Sequence, residues 1–585
     1  MKILLATLNA KFIHSALALY YLKSYCQSTC QEIKIREFTI NGRLPDILGE
    51  IFLEQPSLVG FSCYIWNIEQ TLKIAAMLKK VLPHTIIVLG GPEVSFDSCS
   101  LMESNSSIDY IVAGEGEETF RELILCLDEG QNVADIAGLV HRKEGVPVKN
   151  PDRTLIKNLD QISFPYPPED LDNFTGKIIY YESSRGCPFN CRYCLSSTSH
   201  GVRFFSLERV KNDLKLIAQA GIKQVKFVDR TFNCHRERTK ELLSFLLDLD
   251  ARGMNFHFEI GADLLDEEII DLLGKAPPGY FQLEIGIQST NPLTLRTVER
   301  TMNFPRVRSA VSKIVEAGNM HLHLDLIAGL PKEDLASFEK SFNDVFELQP
   351  HNLQLGFLKV LKGSGLRNQA REYGLNYQDC PPYEILSTKD ISFRDLLDLK
   401  SVEDVLERFF NSGKFRQTII YFAGRFSQGP YDFFLQFARF ITGRKTAGTS
   451  RSDVLARELW DFSQNVIEKE ELPLLKDLIK LDLMLIGKKI YLPDWLQEES
   501  SSRDLTLDFL KNPENTARYL PHFSGMNPRK IYNTISVESF THTFNFAHGR
   551  IIKISDTSSR ILFDYSKVDQ VFKYAQVQIL NMEKG

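Results

Sequence analysis

Twice along this chain, short β-rich runs alternate with helical stretches, and few architectures accommodate that rhythm. Over residues 1–135 the runs "KILLATL", "IKIREFTI", "LVGFSCYIW", "TIIVLGG" and "DYIVAGEGE" are separated by segments such as "NIEQTLKIAAMLKKVL". Alternation of this kind predicts an open, five-stranded parallel α/β sheet with right-handed crossovers. Each run ends in a polar or glycine-rich loop, "NAKFIHS", "YIWN", "GGPEVS" or "GEGEET", and ligands of such sheets bind where these loops gather. A dinucleotide does not fit. "GEGEET" lacks the third glycine of the fingerprint, and Glu115, Glu117 and Glu118 would repel a pyrophosphate at the helix N-terminus. Taken alone, Gly90-Gly91-Pro92 and Gly114 read equally well as plain strand-to-helix turns.

A Pro- and Asp-rich stretch over 136–174 ("EGVPVKNPDRT", "ISFPYPPED") reads as a linker with a small hairpin. A second α/β unit follows over 175–379, with strands in "KIIYYESSRG", "QVKFVDRTF", "NFHFEIGA", "YFQLEIGIQS", "HLHLDLIAGLP" and "LQLGFLKV". Six β/α repeats predict a partial (β/α)6 TIM-like barrel rather than a second flat sheet. Alternation puts Phe227, Asp229 and Thr231 on one face, as it does His257, Glu259 and Gly261; Glu284, Gly286 and Gln288; and His321, His323, Asp325 and Ile327. If the Val, Ile and Leu face packs on helices, this polar face points inward. A lumen of carboxylates and imidazoles is costly unless the groups satisfy one another or bind something. Residues 380–585, with strands in "KIYNTISVESFTHTF" and "RIIKISDTSSRILFDY", are expected to form a mixed α+β domain covering the active site. The aromatic and basic stretch "FFNSGKFRQTIIYFAGRF" reads as core helices with a solvated basic face rather than a nucleic-acid platform.

The chain's 585 residues exceed what one core supports, consistent with several domains. A net charge of −6 gives no overall pull towards nucleic acid or anionic lipid. No window approaches the roughly 18 consecutive apolar residues of a membrane span. The opening "MKILLATLNAKF" is interrupted by Lys11 and reads as a first strand rather than a secretory signal. A cytoplasmic protein is therefore expected, whose ten cysteines bind metal or pack as small hydrophobes instead of forming disulfides.

Three of those cysteines sit on one short segment, "SSRGCPFNCRYCLSS". On a helix, Cys187, Cys191 and Cys194 would share a face as core residues; Pro188 and Asn190 argue instead for a loop that aims all three thiols at one centre. A structural zinc site would need a fourth ligand, for which His200 is the nearest candidate. A cubane iron–sulfur cluster held by three cysteines keeps one iron open to a chelating substrate. Cys234 could close the site but reads better as buried.

The Cys-x3-Cys-x2-Cys spacing after the first barrel strand, with Tyr193 before the last cysteine, resembles the radical S-adenosylmethionine superfamily. The resemblance implies a 4Fe–4S cluster on Cys187, Cys191 and Cys194. It also implies S-adenosylmethionine bound by Tyr193, Asp229, Glu259, Gln288, Arg300, Ile327 and Gly329, with reductive cleavage to a 5′-deoxyadenosyl radical. Asp229 would meet the methionine amine, Glu259 the ribose, and Ile327 and Gly329 the adenine. "GFSCYIWN", "GGPEV" and "GEGEET" resemble the Rossmann-like (flavodoxin-like) cobalamin-binding domain of the cobalamin-dependent branch. By that resemblance Ser62, Cys63, Gly90, Gly91, Pro92, Glu93, Gly114 and Glu115 would surround cobalamin, although the Asp-x-His-x-x-Gly ligand motif is absent; His14 and Cys63 are the candidate axial ligands. The implied function is methyl transfer to an unactivated carbon of a small-molecule substrate, fed by an electron donor such as flavodoxin or ferredoxin, without nucleic acid or membrane. Alternatives are a cobalamin-assisted rearrangement, methylthiotransfer with a second cluster drawing on Cys30, Cys63 and Cys99, and a zinc-stabilised binding module.

Overall fold

The computed structural model describes residues 1–580 apart from 28, 30, 31, 175, 199, 200, 250, 252, 445–448, 489–491 and 498–501, so Cys30 and His200 lie outside the described residues. Strands β1 (Ile3–Asn9), β2 (Ile33–Thr39), β3 (Leu58–Ser62), β4 (Ile86–Gly90) and β5 (Tyr110–Val112) form a parallel array in the order 2-1-3-4-5. β1 is buried along its whole length because both faces are covered. Its alternation divides two cores: Leu4, Ala6 and Leu8 pack on one side, Ile3 and Leu5 on the other.

The sheet has seven strands, not five. β6 (Leu139–Lys143) and β7 (Val146–Lys149), the hairpin assigned above to the linker, add antiparallel to β5 through Ile111–Val140. Leu139, Val140 and His141 are buried by this pairing, which covers an otherwise open sheet edge.

The second sheet is all parallel. β8 (Ile178–Tyr181), β11 (Gln224–Phe227), β12 (Asn255–Glu259), β13 (Phe281–Gln288), β14 (His321–Ala328) and β15 (Asn352–Phe357) lie side by side in chain order, and β15 does not pair with β8 among the described residues. This is an open barrel-like sheet rather than a closed barrel. Between β8 and β11 lies a hairpin of β9 (Ser184–Cys187) and β10 (Gly201–Phe204). Gly186 in it has φ 104°, and a Cβ there would sit 2.2 Å from the Gly201 carbonyl oxygen, so only glycine permits the crossing.

The facing of β11 differs from the alternation argument. The strand ends at Phe227, whose ring packs on Phe258 at 4.8 Å on the helix side, and Lys226 turns inward instead. Aromatic packing sets this register, and Asp229 falls beyond the strand.

The C-terminal region combines helices with β16 (Asn376–Tyr377), β17 (Ile385–Ser387), β18 (Ile535–Phe540), β19 (Thr543–Ala547), β20 (Arg550–Ser555), β21 (Ser559–Val568) and β22 (Ala575–Leu580). It packs on the outer helix Leu335–Phe346 through Tyr431 and Phe434, and it meets the barrel at the ends where the strands begin. His548 abuts Gly318 before β14, Gln570 abuts Gly279 before β13, and the Phe572 ring lies 4.5 Å from that of His351 before β15. Arg416, 1% exposed, donates to the carbonyls of Gln349, Pro350 and His351. At the opposite end Tyr383 donates to Glu93, Ile385 packs on Gly329, and Asp390 accepts from Lys332 N–H at 2.8 Å in the loop after β14.

The two sheets are joined directly. Ile178 N–H donates to Ile13 O at 2.9 Å, Ser15 Oγ donates to Ile178 O at 3.0 Å, and Tyr180 OH lies 2.7 Å from His14 Nδ1.

Candidate functional site

The loops after β1, β3, β4 and β5 and the loop ends of the barrel strands enclose one cavity of about 650 Å³. Ser62, Gly90, Gly91 and Gly114 line it from the sheet; Tyr180, Arg185, Lys226, Val228, Arg230 and Glu259 line it from the barrel. A deep apolar slot continues beneath the sheet between Leu5, Gly60, Leu22 and Phe120. Gly91 has φ 109°, and a Cβ there would meet Cys63 O at 2.6 Å, so the β4 loop is bare backbone. Opposite it, the rings of Tyr64 and Trp66 stack 4.5 Å apart at 3°, with Trp66 47% exposed. A glycine cradle, an aromatic platform and an apolar slot suit a flat, extended cofactor with a tail.

The remaining sheet residues singled out from sequence lie outside that lining. Cys63 is fully buried, its Sγ 3.7 Å from Phe61 O, and burial pushes its thiol pKa up. Pro92 opens the short helix Pro92–Ser95. Glu93 accepts from Tyr383 and lies 3.4 Å from Lys362, and Glu115 pairs with Arg203 and, at 3.6 Å, with Arg185. His14 does line the cavity, but its Nδ1 is taken by Tyr180.

Cys187 ends β9, and Cys191 and Cys194 follow in the adjoining turn. Donors face two of the sulfurs, Arg300 Nη1 at 3.7 Å from Cys191 and Ser196 N–H at 3.4 Å from Cys194, while Thr231 Oγ1, which donates to Arg230 O, lies 3.9 Å from Cys187. Such donors stabilise cluster-bound thiolates, so the hairpin fits a cysteine-ligated cluster. The Cys234 thiol pKa is pushed up to about 11, first by burial and then by Asp229 and Cys187.

Arg300 also donates to Tyr193 OH at 3.2 Å and to Gly286 O, drawing the cysteine turn onto β13. Gln288 has φ 71°, and its buried Oε1 has no hydrogen-bond partner. Ile327 is half-buried on the inward face of β14, and Gly329 has φ 87° with Ile385 where a Cβ would point. The Asp229 carboxylate accepts from Ser183 N–H at 2.9 Å, Ser183 Oγ at 2.7 Å and Ser184 Oγ, which fastens the start of the cysteine hairpin. Glu259 faces the cavity, where burial and then Glu284 push its pKa up to about 7.

Arg185, Lys226, Arg230, Tyr64 and Trp66 were not singled out from sequence. Arg185 stands two residues before the first cysteine, 2.8 Å from Glu117, the first residue of the helix after β5, and 2.9 Å from Glu182. A charged residue inside "SSRGC", opposite the acidic "GEGEET", was the available signal.

Residues 3–124 match the family described as "B12 binding domain", 181–345 match "Radical SAM superfamily", and 371–563 match "Protein of unknown function (DUF4080)". The uncharacterized methyltransferase PH0819 of Pyrococcus horikoshii is 28% identical over 295 residues, 49% of this chain and 63% of the relative. The cobalamin-dependent radical SAM methyltransferase TokK of Streptomyces tokunonensis is 26% identical over 352 residues, 55% of this chain and 50% of that protein. The chain thus spans less than two thirds of either relative. The structure of the cobalamin-dependent S-adenosylmethionine radical enzyme OxsB, with aqua-cobalamin and S-adenosylmethionine bound, superposes with a TM-score of 0.59 at 16% identity, covering 82% of this chain and 79% of that one. At that identity the likeness shows a shared fold. No helix among the described residues is long and apolar enough to cross a membrane. The chain thus carries a B12-binding domain and a radical SAM domain, and the two border one cavity.

Proposed function

We propose that this chain is a methyltransferase that holds a small-molecule substrate between the loop end of its N-terminal sheet and the cysteine hairpin. The observation that carries the reading is the shared lining: glycine loops of the sheet and Arg185, Lys226, Arg230 and Glu259 of the barrel border one volume. When bound, a 4Fe–4S cluster with S-adenosylmethionine supplies a carbon radical, and cobalamin supplies a methyl group. In this reading Cys187, Cys191 and Cys194 hold the cluster, and Tyr193, Gln288, Arg300, Ile327 and Gly329 orient S-adenosylmethionine. Asp229 acts one step removed, by fixing Ser183 and Ser184 at the root of the hairpin. Ser62, Gly90, Gly91 and Gly114 seat cobalamin, with Tyr64 and Trp66 as an added platform. The C-terminal region closes the far end of the barrel and keeps water out of the lumen. The two relatives' names favour methyl transfer over rearrangement. A low-potential one-electron donor of the flavodoxin or ferredoxin type completes the system, in a reducing compartment such as the cytoplasm.

The test is anaerobic reconstitution with iron, sulfide, cobalamin, reductant and S-adenosylmethionine, followed by mass spectrometry of nucleosides. The reading expects 5′-deoxyadenosine together with cobalamin-dependent S-adenosylhomocysteine. 5′-Deoxyadenosine alone would point to rearrangement. Bound zinc with neither product would replace the enzyme by a zinc-stabilised module, and a second cluster by iron count would revive methylthiotransfer.

A further inference from the structure

We infer that the barrel lumen contains a site for a first-row divalent cation, built by Glu284, His323 and Asp325 with His257 beside them and separate from the cysteine hairpin. β13 and β14 put these residues together by register: Glu284 stands opposite His323, and Gly286, which has no side chain, stands opposite Asp325. One ligand atom from each of Glu284, His323 and Asp325 lies within 4.8 Å of the others.

The second observation is a set of buried polar atoms aimed at this point without hydrogen bonds. His323 Nε2 lies 2.8 Å from Asp325 Oδ1, and neither atom has a hydrogen-bond partner. His257, only 6% exposed, brings its Nε2 to 3.0 Å from Glu284 Oε2, again without hydrogen-bond geometry. A buried polar atom left unsatisfied costs about 1–3 kcal/mol, so several facing one point require an occupant. Two atoms each about 2.1 Å from a metal and at right angles lie about 3.0 Å apart, which is the spacing seen here. A hydrogen-bonded pair would share that spacing but would align the N–H, and these do not.

Imidazole nitrogens and carboxylate oxygens without sulfur suit Zn²⁺, Mn²⁺ or Fe²⁺. The C-terminal region supplies the dry floor through Phe572 and Arg416. Lys226 is the built-in competitor. Its Nζ lies 2.9 Å from Glu284 Oε2, where an ammonium neutralises the carboxylate and repels a cation. Glu284 and Asp325 together still outweigh that one charge. A network that merely satisfies itself would need Lys226; a cation site would bind better without it.

The experiment uses the full-length, cluster-loaded protein with Mn²⁺ as probe, counted by electron paramagnetic resonance separately from cluster iron. One bound Mn²⁺ per chain is expected, weakened about tenfold or more in His323→Ala and tightened in Lys226→Met. Failure of the wild type to retain Mn²⁺ or Zn²⁺ at millimolar concentration overturns the assignment. So does unchanged affinity in His323→Ala. If that variant does not fold, Asp325→Asn and the Mn²⁺-induced rise in the wild-type melting temperature decide the question, and no rise counts against the site.

Discussion

The cavity at the sheet and the lumen of the barrel are built by opposite means. The sheet makes room by leaving side chains out: Gly90, Gly91 and Gly114 border its cavity, and the slot behind is apolar. The barrel crowds charged groups into a space they must share, with Lys226 and His257 both within 3.0 Å of Glu284. The sheet side of the first cavity offers shape, and charge enters it from the barrel side through Arg185, Lys226, Arg230 and Glu259. The second recognises by charge, and each group's state depends on its neighbours. Arg185 is where the two meet, since it lines the cavity while standing on the cysteine hairpin.

The sharpest way to separate the two is Cys191→Ala. It is expected to abolish iron–sulfur absorbance and S-adenosylmethionine cleavage while leaving cobalamin binding intact. Loss of cobalamin binding in the same variant would show that the sites do not fold independently. Arg185→Met should breach the division instead. Removing one partner of a buried pair costs about 3–5 kcal/mol, and here Glu117 and Glu182 lose theirs together. Weaker cobalamin binding and a shifted cluster resonance signal are both expected; a change in only one would mean that Arg185 serves one side. Gly91→Ala tests recognition by shape. Its Cβ would collide with Cys63 O in a conformation that disfavours any side chain, so about 2 kcal/mol of stability and most cobalamin affinity should go. Gly114→Ala, at φ 82° with nothing within 4 Å, should lose only about 1 kcal/mol, and equal effects at both positions would contradict the cradle.

The same contrast explains what could be read before the fold was seen. Glycines after strands and the cysteine spacing are local features, so the glycine loops that border the cavity and the cysteine loop were legible in sequence, whereas the β9–β10 pairing that carries that loop was not. So was the inward face of β12, β13 and β14, where apolar and polar residues alternate cleanly. β11 was not. "VKFVDR" offers two alternations, and only the packing of Phe227 against Phe258, two strands' worth of tertiary context, chooses between them. The hairpin β6–β7 was visible as a hairpin, but its joining of the sheet depends on the unpaired edge of β5. Glu93 and Glu115 looked like ligand contacts because their partners, Tyr383, Lys362, Arg185 and Arg203, are far away in sequence.

A last variant probes charge recognition alone. Burial, then Glu284, raises the Glu259 pKa to about 7, against about 4.3 in an unfolded chain. The folded state therefore binds more protons than the unfolded one between those values, and stability falls as pH rises through that window. The contribution is full below pH ~4.3 and lost above ~7, a change of up to about 4 kcal/mol. Glu259→Gln, which stays neutral throughout, should flatten that part of the profile and melt higher than wild type at pH 8 but not at pH 4.5. Chemical denaturation across this range in the cofactor-free protein would check it. A profile as steep as wild type would assign the titration to another group of the lumen, and the charge on Glu259 would then be compensated by Lys226 and Arg230.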